Sequence, residues 1–249
     1  MSAFHNKKSP WFIAAPSFVW PAVVGDNCYY LQHLVDEVEL IFFETESSLN
    51  YTEHDLPHGL KDLNMGYHLH LPLDLPWEEG VGRVIRDIEK LAAQVEYLSP
   101  HCFVLHPPRD PEVFTEFHRA WQEHPDLGSR KLLLENVQEN DLVQIWPLIL
   151  QTEFKICLDL GHLLAFNQQE LFNLRGFRDR LEMLHIYGDN DPSRHTSLAN
   201  LSPTGQEILK SVLEKFPSNR TIVLEVFNPE DLHQSLDIFS NWIINWGLS

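Results

Sequence analysis

Eight short apolar runs recur along the chain: Trp11–Ala15, Val38–Phe43, Gly66–Leu71, Cys102–Leu105, Lys131–Leu134, Lys155–Leu158, Met183–Tyr187 and Thr221–Leu224. Each is nearly continuously hydrophobic rather than alternating, the pattern of strands buried on both faces in a parallel sheet. Stretches of helical periodicity lie between them. Val81–Leu98 places Val84, Ile85, Ile88, Leu91, Ala92, Val95 and Leu98 on one stripe. Pro111–Glu123 opens with proline at a first helical position, after Asp110 as a cap. Asp141–Leu150, Gln168–Leu174, Thr204–Phe216 and Glu230–Trp246 follow, with Asn27–Leu34 and Leu56–Met65 as shorter candidates. Strands alternating with helices predict βαβ units. Eight such units in 249 residues predict an α/β fold, a single (β/α)8 TIM barrel domain over residues 1–249, in preference to an open doubly wound sheet.

Charge narrows the partners. There are 36 Asp+Glu against 18 Lys+Arg, a formal net charge of −18. A protein that grips duplex DNA needs Lys and Arg to replace counterions along the phosphates, and here the bases are scattered, so duplex nucleic acid and anionic membranes are not expected partners. No apolar stretch approaches the ~18 residues of a transmembrane helix. Cys28, Cys102 and Cys157 share no CxxC spacing, which suits a reducing compartment. Lys7-Lys8 before Trp11–Ala15 resembles the start of a signal peptide, but Pro16 and Pro21 interrupt the run. It reads as a first strand, and a cytoplasmic location is expected.

The ends of the runs carry the chemistry. Strand two ends in Glu44, strand three reads His68-Leu-His70, and strand four ends in His106. Strand five ends in Glu135-Asn136, strand six in Asp159-Leu-Gly-His162, strand seven holds His185, and strand eight ends in Glu225. In a barrel this is the face where active sites form. A lone histidine in an apolar strand is ordinarily a hydrogen-bonded core residue, and a lone glutamate after a strand is ordinarily solvated. Seven consecutive strand ends are different, because carboxylates crowded at one mouth repel unless a cation joins them. Imidazoles interleaved with carboxylates are a first coordination sphere for divalent transition metals. His68 is expected to face away from His70 and to be structural.

In order and type these residues resemble the xylose-isomerase-like barrels, and within them the endonuclease IV type. The resemblance runs from about Val38 to Glu225. It implies that His70 and His106 bind one metal, that Glu135 bridges to a second held by Asp159, His185 and Glu225, and that His162 and His195 hold a third. Ser193 stands where that pattern has an aspartate, and Asp191 is the candidate replacement. Two or three divalent ions per chain, zinc or manganese, are thus implied.

Metal number decides the expected chemistry. Sugar isomerases and epimerases of the same superfamily resemble this chain at Glu135, Asp159, His162, His185 and Glu225, and need one ion. The further histidines favour a metal-activated hydroxide attacking phosphorus, with Glu135 bridging and Glu225 or Glu44 orienting the nucleophile. A phosphodiesterase acting on a small molecule is therefore the expectation. Pro16-Ser-Phe-Val-Trp-Pro21, Val35–Leu40 and His70-Leu-Pro-Leu-Asp74 resemble cobamide-remodelling phosphodiesterases, which implies a corrinoid substrate. Trp11, Phe18, Trp20 and Trp77 could wall a planar corrin, although each reads more readily as a core or barrel-plug aromatic, because aromatics dominate cores. The alternatives are a single-metal sugar isomerase or epimerase, an abasic-site nuclease that the charge opposes, and a non-catalytic corrinoid- or metal-binding protein. Oligomeric state is open.

Overall fold

Eight strands close into a barrel in chain order: β1 Phe12–Pro16, β2 Glu37–Ile41, β3 Gly66–His70, β4 Phe103–Leu105, β5 Leu132–Glu135, β6 Lys155–Asp159, β7 Leu181–Ile186 and β8 Thr221–Leu224. All neighbours are parallel, and the seam pairs β1 with β8 through Phe12 with Thr221 and Ala14 with Val223. The structure is a computed structural model and describes residues 9–190 and 194–248. The predicted (β/α)8 barrel is the observed one.

The helices between strands are α1 Val24–Leu31, α2 Thr45–Leu49, α3 Val81–Val95, α4 Pro111–Glu123, α5 Trp146–Ile149, α6 Leu160–Ala165, α7 Phe177–Arg180, α8 Pro203–Leu213 and α9 Pro229–Asn245. Three of them begin where the sequence supplies a cap followed by proline. Asp110, Ser202 and Asn228 each accept a hydrogen bond from a backbone N–H in the first turn of α4, α8 and α9. The predicted helix Asp141–Leu150 contracts to α5, behind a turn at its start. The Asn140 side chain accepts from the Leu142 N–H, Asp141 accepts from the Val143 N–H, and Leu142 has φ 65°, so short polar side chains outcompete the helix. Leu56–Met65 and Gln168–Leu174 contract to single 3₁₀ turns, His58–Asp62 and Gln169–Asn173.

Strand alternation sorts the side chains. Val38, Leu40, Leu69, Leu134 and Leu158 join the large core beneath the helices. Ala14, Cys102, Val104, Leu133, Cys157, Met183 and Val223 form a separate apolar cluster, the inward set of the alternation. His68 corrects its expectation. Residues two apart in a strand share a face, so His68 lies inside the barrel beneath His70, with Nδ1 2.5 Å from Glu37 Oε1 and Nε2 3.5 Å from Glu39 Oε1.

Trp11 is buried against Phe216 and donates to the Pro217 carbonyl, below β1. Trp77 packs edge-on against Phe117 of α4. Phe18 follows β1 and packs edge-on 4.9 Å from Phe43, just after β2. The three cysteines are free and buried. Among the described residues no helix is long and apolar enough to cross a membrane.

Candidate metal centre

From β3 to β8 each strand, or the residue just after it, delivers one polar side chain to the C-terminal mouth. Glu135 Oε2 lies 3.0 Å from His70 Nε2, 3.5 Å from His106 Nε2 and 3.7 Å from His185 Nδ1. Glu225 Oε2 lies 3.3 Å from His185 Nδ1 and 3.4 Å from His195 Nδ1. Asp159 Oδ2 lies 3.3 Å from His162 Nδ1 and accepts from the Tyr187 hydroxyl at 3.2 Å. Sequence positions more than 150 residues apart thus meet around one ring, that of His185. Glu44 stands apart: it is exposed at the start of α2, where its carboxylate accepts from the Ser47 hydroxyl. Asp191 and Ser193 lie outside the described residues.

Local structure fixes these groups. Asp159 ends β6 and caps α6, its Oδ1 accepting from the His162 N–H at 2.7 Å. Asn136 bridges β5 and β6: its amide donates to the Asp159 carbonyl and to Gln168, and its oxygen accepts from the Asp159 N–H. His195 has φ 44°, an unusual conformation for a side-chain-bearing residue, and its ring stacks on Tyr187 at 3.9 Å. A backbone bridge between Gly188 and Thr196 holds that turn.

Ring nitrogens can be assigned where a carbonyl is the partner, because a carbonyl only accepts. His70 Nδ1 donates to the Leu71 carbonyl, His162 Nδ1 to that of Asn136 and His195 Nδ1 to that of Glu225. Their Nε2 atoms therefore carry lone pairs whenever the rings are neutral. For His70 that lone pair would face Glu135, a repulsion that protonation or a cation relieves. His185 has no hydrogen bond on either nitrogen among the described residues, and Glu225 Oε2 has none. Burial costs such atoms free energy unless something else binds them.

The carboxylates respond in opposite directions. Burial works against ionisation of Glu135, yet the neighbouring His106 and His185 hold it well below the ordinary range. His195 and His185 do the same for Glu225. Asp159 is pushed up to about 6, by burial first and then by Glu135 and Glu225, against the pull of His162. Donor atoms of His70, His106 and Glu135, and those of Glu135, Asp159 and His162, lie within 4.8 Å of one another. Imidazole nitrogen and carboxylate oxygen are the donor types that divalent cations accept. The unpartnered atoms of His185 and Glu225 fit the same group.

Sequence reasoning missed four participants. Glu37 and Glu39 alternate on β2, and both point inward to the histidines of β3 and β7. The signal was present: two acids two apart inside an apolar strand cannot both be loop residues. Tyr187 and Gln168 carry no comparable signal. Burial alone would lower the His68 pKa, but Glu37 and Glu39 raise it to about 9. Below its ordinary 6.5 folded and unfolded chains are both protonated and the pairing contributes fully. The contribution is lost as pH rises through about 9. Melting temperature in chelator should accordingly fall between these limits, and Glu37→Gln should flatten that slope; an unchanged slope would assign it to other groups.

No family model matches the sequence, and no curated protein does. Solved structures do share the fold. A D-tagatose 3-epimerase-like protein superposes with TM-score 0.71 at 18% identity, covering 96% of this chain and 100% of that one. The probable 3-DHS dehydratase AsbF of Bacillus anthracis gives 0.70 at 13%, covering 92% and 98%. D-psicose 3-epimerase in the presence of D-fructose gives 0.68 at 13%, covering 95% and 99%. These are xylose-isomerase-like barrels, and they correct the phosphodiesterase expectation. These three are named for 3-epimerisation and for 3-DHS dehydration and none for phosphoester cleavage, so the hydrolase reading and its cobamide substrate are overturned. The physical reason lies in the donors. One divalent cation commonly takes about four nitrogen and oxygen ligands, so counting histidines at strand ends does not count metals.

Proposed function

We propose that the protein is a divalent-metal-dependent sugar epimerase or isomerase, acting on a ketose or related hydroxycarbonyl compound by proton transfer at carbon. The observation that carries this reading is the placement of two buried carboxylates, Glu135 on β5 and Glu225 after β8, on either side of the same His185 nitrogen at 3.7 and 3.3 Å. The resemblance to 3-epimerase barrels supports it.

Glu135, Asp159, His185 and Glu225 would hold one ion, manganese and zinc both suiting this donor set. A bound divalent cation supplies Lewis-acid polarisation of a substrate carbonyl. The chain supplies the rest. One of the two glutamates removes the proton from the carbon beside the carbonyl, and the other returns a proton to the opposite face, inverting that centre. His162 and His195, each with Nδ1 tied to a backbone carbonyl, present Nε2 to substrate hydroxyls. Phe227 packs against the His195 ring at 5.2 Å and Phe43 against Phe227 at 5.6 Å, closing one side of the mouth.

The test is solvent exchange. The metal-loaded chain, incubated in D2O with a panel of ketoses, should incorporate deuterium at the carbon beside the carbonyl and yield the epimer. Dialysis against chelator should abolish both, and Mn2+ or Zn2+ should restore them. A loaded protein that exchanges no proton of any ketose on the panel refutes the reading.

A further inference from the structure

Beneath the metal centre the barrel interior carries a second, deeper set of polar groups. His185 Nε2 lies 3.2 Å from Glu39 Oε1, and His68 Nε2 lies 3.5 Å from the same oxygen. Glu39, His68 and His185 are each 0% exposed. Below them Glu37 Oε1 meets His68 Nδ1 and His101 Nε2, both at 2.5 Å, while its Oε2 accepts from the Thr221 hydroxyl. Imidazoles and carboxylates thus alternate along the barrel axis from the mouth to the opposite end.

A neutral imidazole has one N–H and one lone pair. His185 has carboxylates at both nitrogens: Glu39 at Nε2, and Glu135 and Glu225 at Nδ1. Only one arrangement gives the rim nitrogen a lone pair, and it requires the Nε2–H to face Glu39. Neither Glu39 oxygen has an aligned hydrogen bond among the described residues, and such contacts tighten when a site is loaded. We infer that Glu39 is the positioning residue of the centre: its carboxylate fixes the tautomer and tilt of His185, and His68, anchored by Glu37, fixes Glu39. This rests on the proposal that His185 binds the cation. Carboxylates behind metal-bound histidines raise ligand basicity, and losing one costs about 10–100-fold in metal affinity.

The experiment is titration of the metal-free full chain with Mn2+ by calorimetry and with Co2+ by visible absorption. Wild type should bind at the centre. Glu39→Gln should bind the same number of ions about 10–100-fold more weakly, with a shifted Co2+ spectrum. Glu39→Asp keeps the charge but withdraws it by one methylene, so it should fall between the two and carries the test if the glutamine variant does not fold. Wild-type affinity and spectrum in both variants would overturn the inference while leaving the proposed function standing. Loss of a whole equivalent of metal would overturn it in favour of Glu39, His68 and His185 as ligands of their own ion. A wild-type chain that binds neither ion overturns the proposed function and this inference together.

Discussion

Glu135→Gln and Glu225→Gln should each lower turnover of a ketose by about 10²–10⁴-fold. Glutamine keeps the shape of the side chain but can neither accept nor return a proton, so the loss falls on chemistry. Both carboxylates are buried among histidines that keep them ionised. The two variants should differ in one respect. If Glu135 and Glu225 serve opposite faces of the substrate, each variant retains deuterium wash-in from the epimer whose proton faces the surviving carboxylate. Initial rates from both epimers, with metal content measured alongside, separate this from simple loss of the ion. Turnover above a tenth of wild type in both variants, with the ion retained, would remove the pair from the mechanism.

Gly161→Ala should damage stability and activity at once. A Cβ at this position would stand 2.2 Å from Tyr187 Cε2 and Cζ and 2.5 Å from its hydroxyl. The tyrosine ring is fully buried, stacks on His195 and bonds Asp159, so it cannot yield without moving both. Overpacking of this kind costs about 1–3 kcal/mol, and a ligand displaced by ~1 Å costs about 10²-fold in rate. At about 2–4 °C per kcal/mol for a chain of this size, a thermal melt should register several degrees. Adding Tyr187→Leu should recover part of the stability and none of the rate. Recovery of both would mean that the tyrosine only fills space.

The eight runs, their order and the mouth at their C-terminal ends were legible because parallel barrel strands are buried on both faces, leaving continuous apolar segments between polar loops. His70, Glu135, Asp159, His185 and Glu225 were legible for a related reason: a charged residue closing such a segment has few bland explanations. Glu39 and His68 were harder, since an inward polar residue in mid-strand looks like an ordinary interruption until the partner strand is known. Glu44 shows the opposite case. It terminates its run as the others do, but the chain turns into α2 there, and its exposed carboxylate accepts from Ser47 rather than meeting the histidines. Metal number and reaction class were not legible, because the same four donors serve one ion or part of a cluster.

The seam between β1 and β8 has a consequence for synthesis. Phe12 pairs with Thr221, and the Phe12 N–H donates to the Arg220 carbonyl, so the circle cannot close until the ribosome has delivered that late segment. Until then β1 and the last strand made are free edges, the surfaces through which nascent chains stick to one another. Glu225 arrives just after the closing strand, and a stalled or shortened product would therefore be both adhesive and unable to assemble the histidine–carboxylate rim.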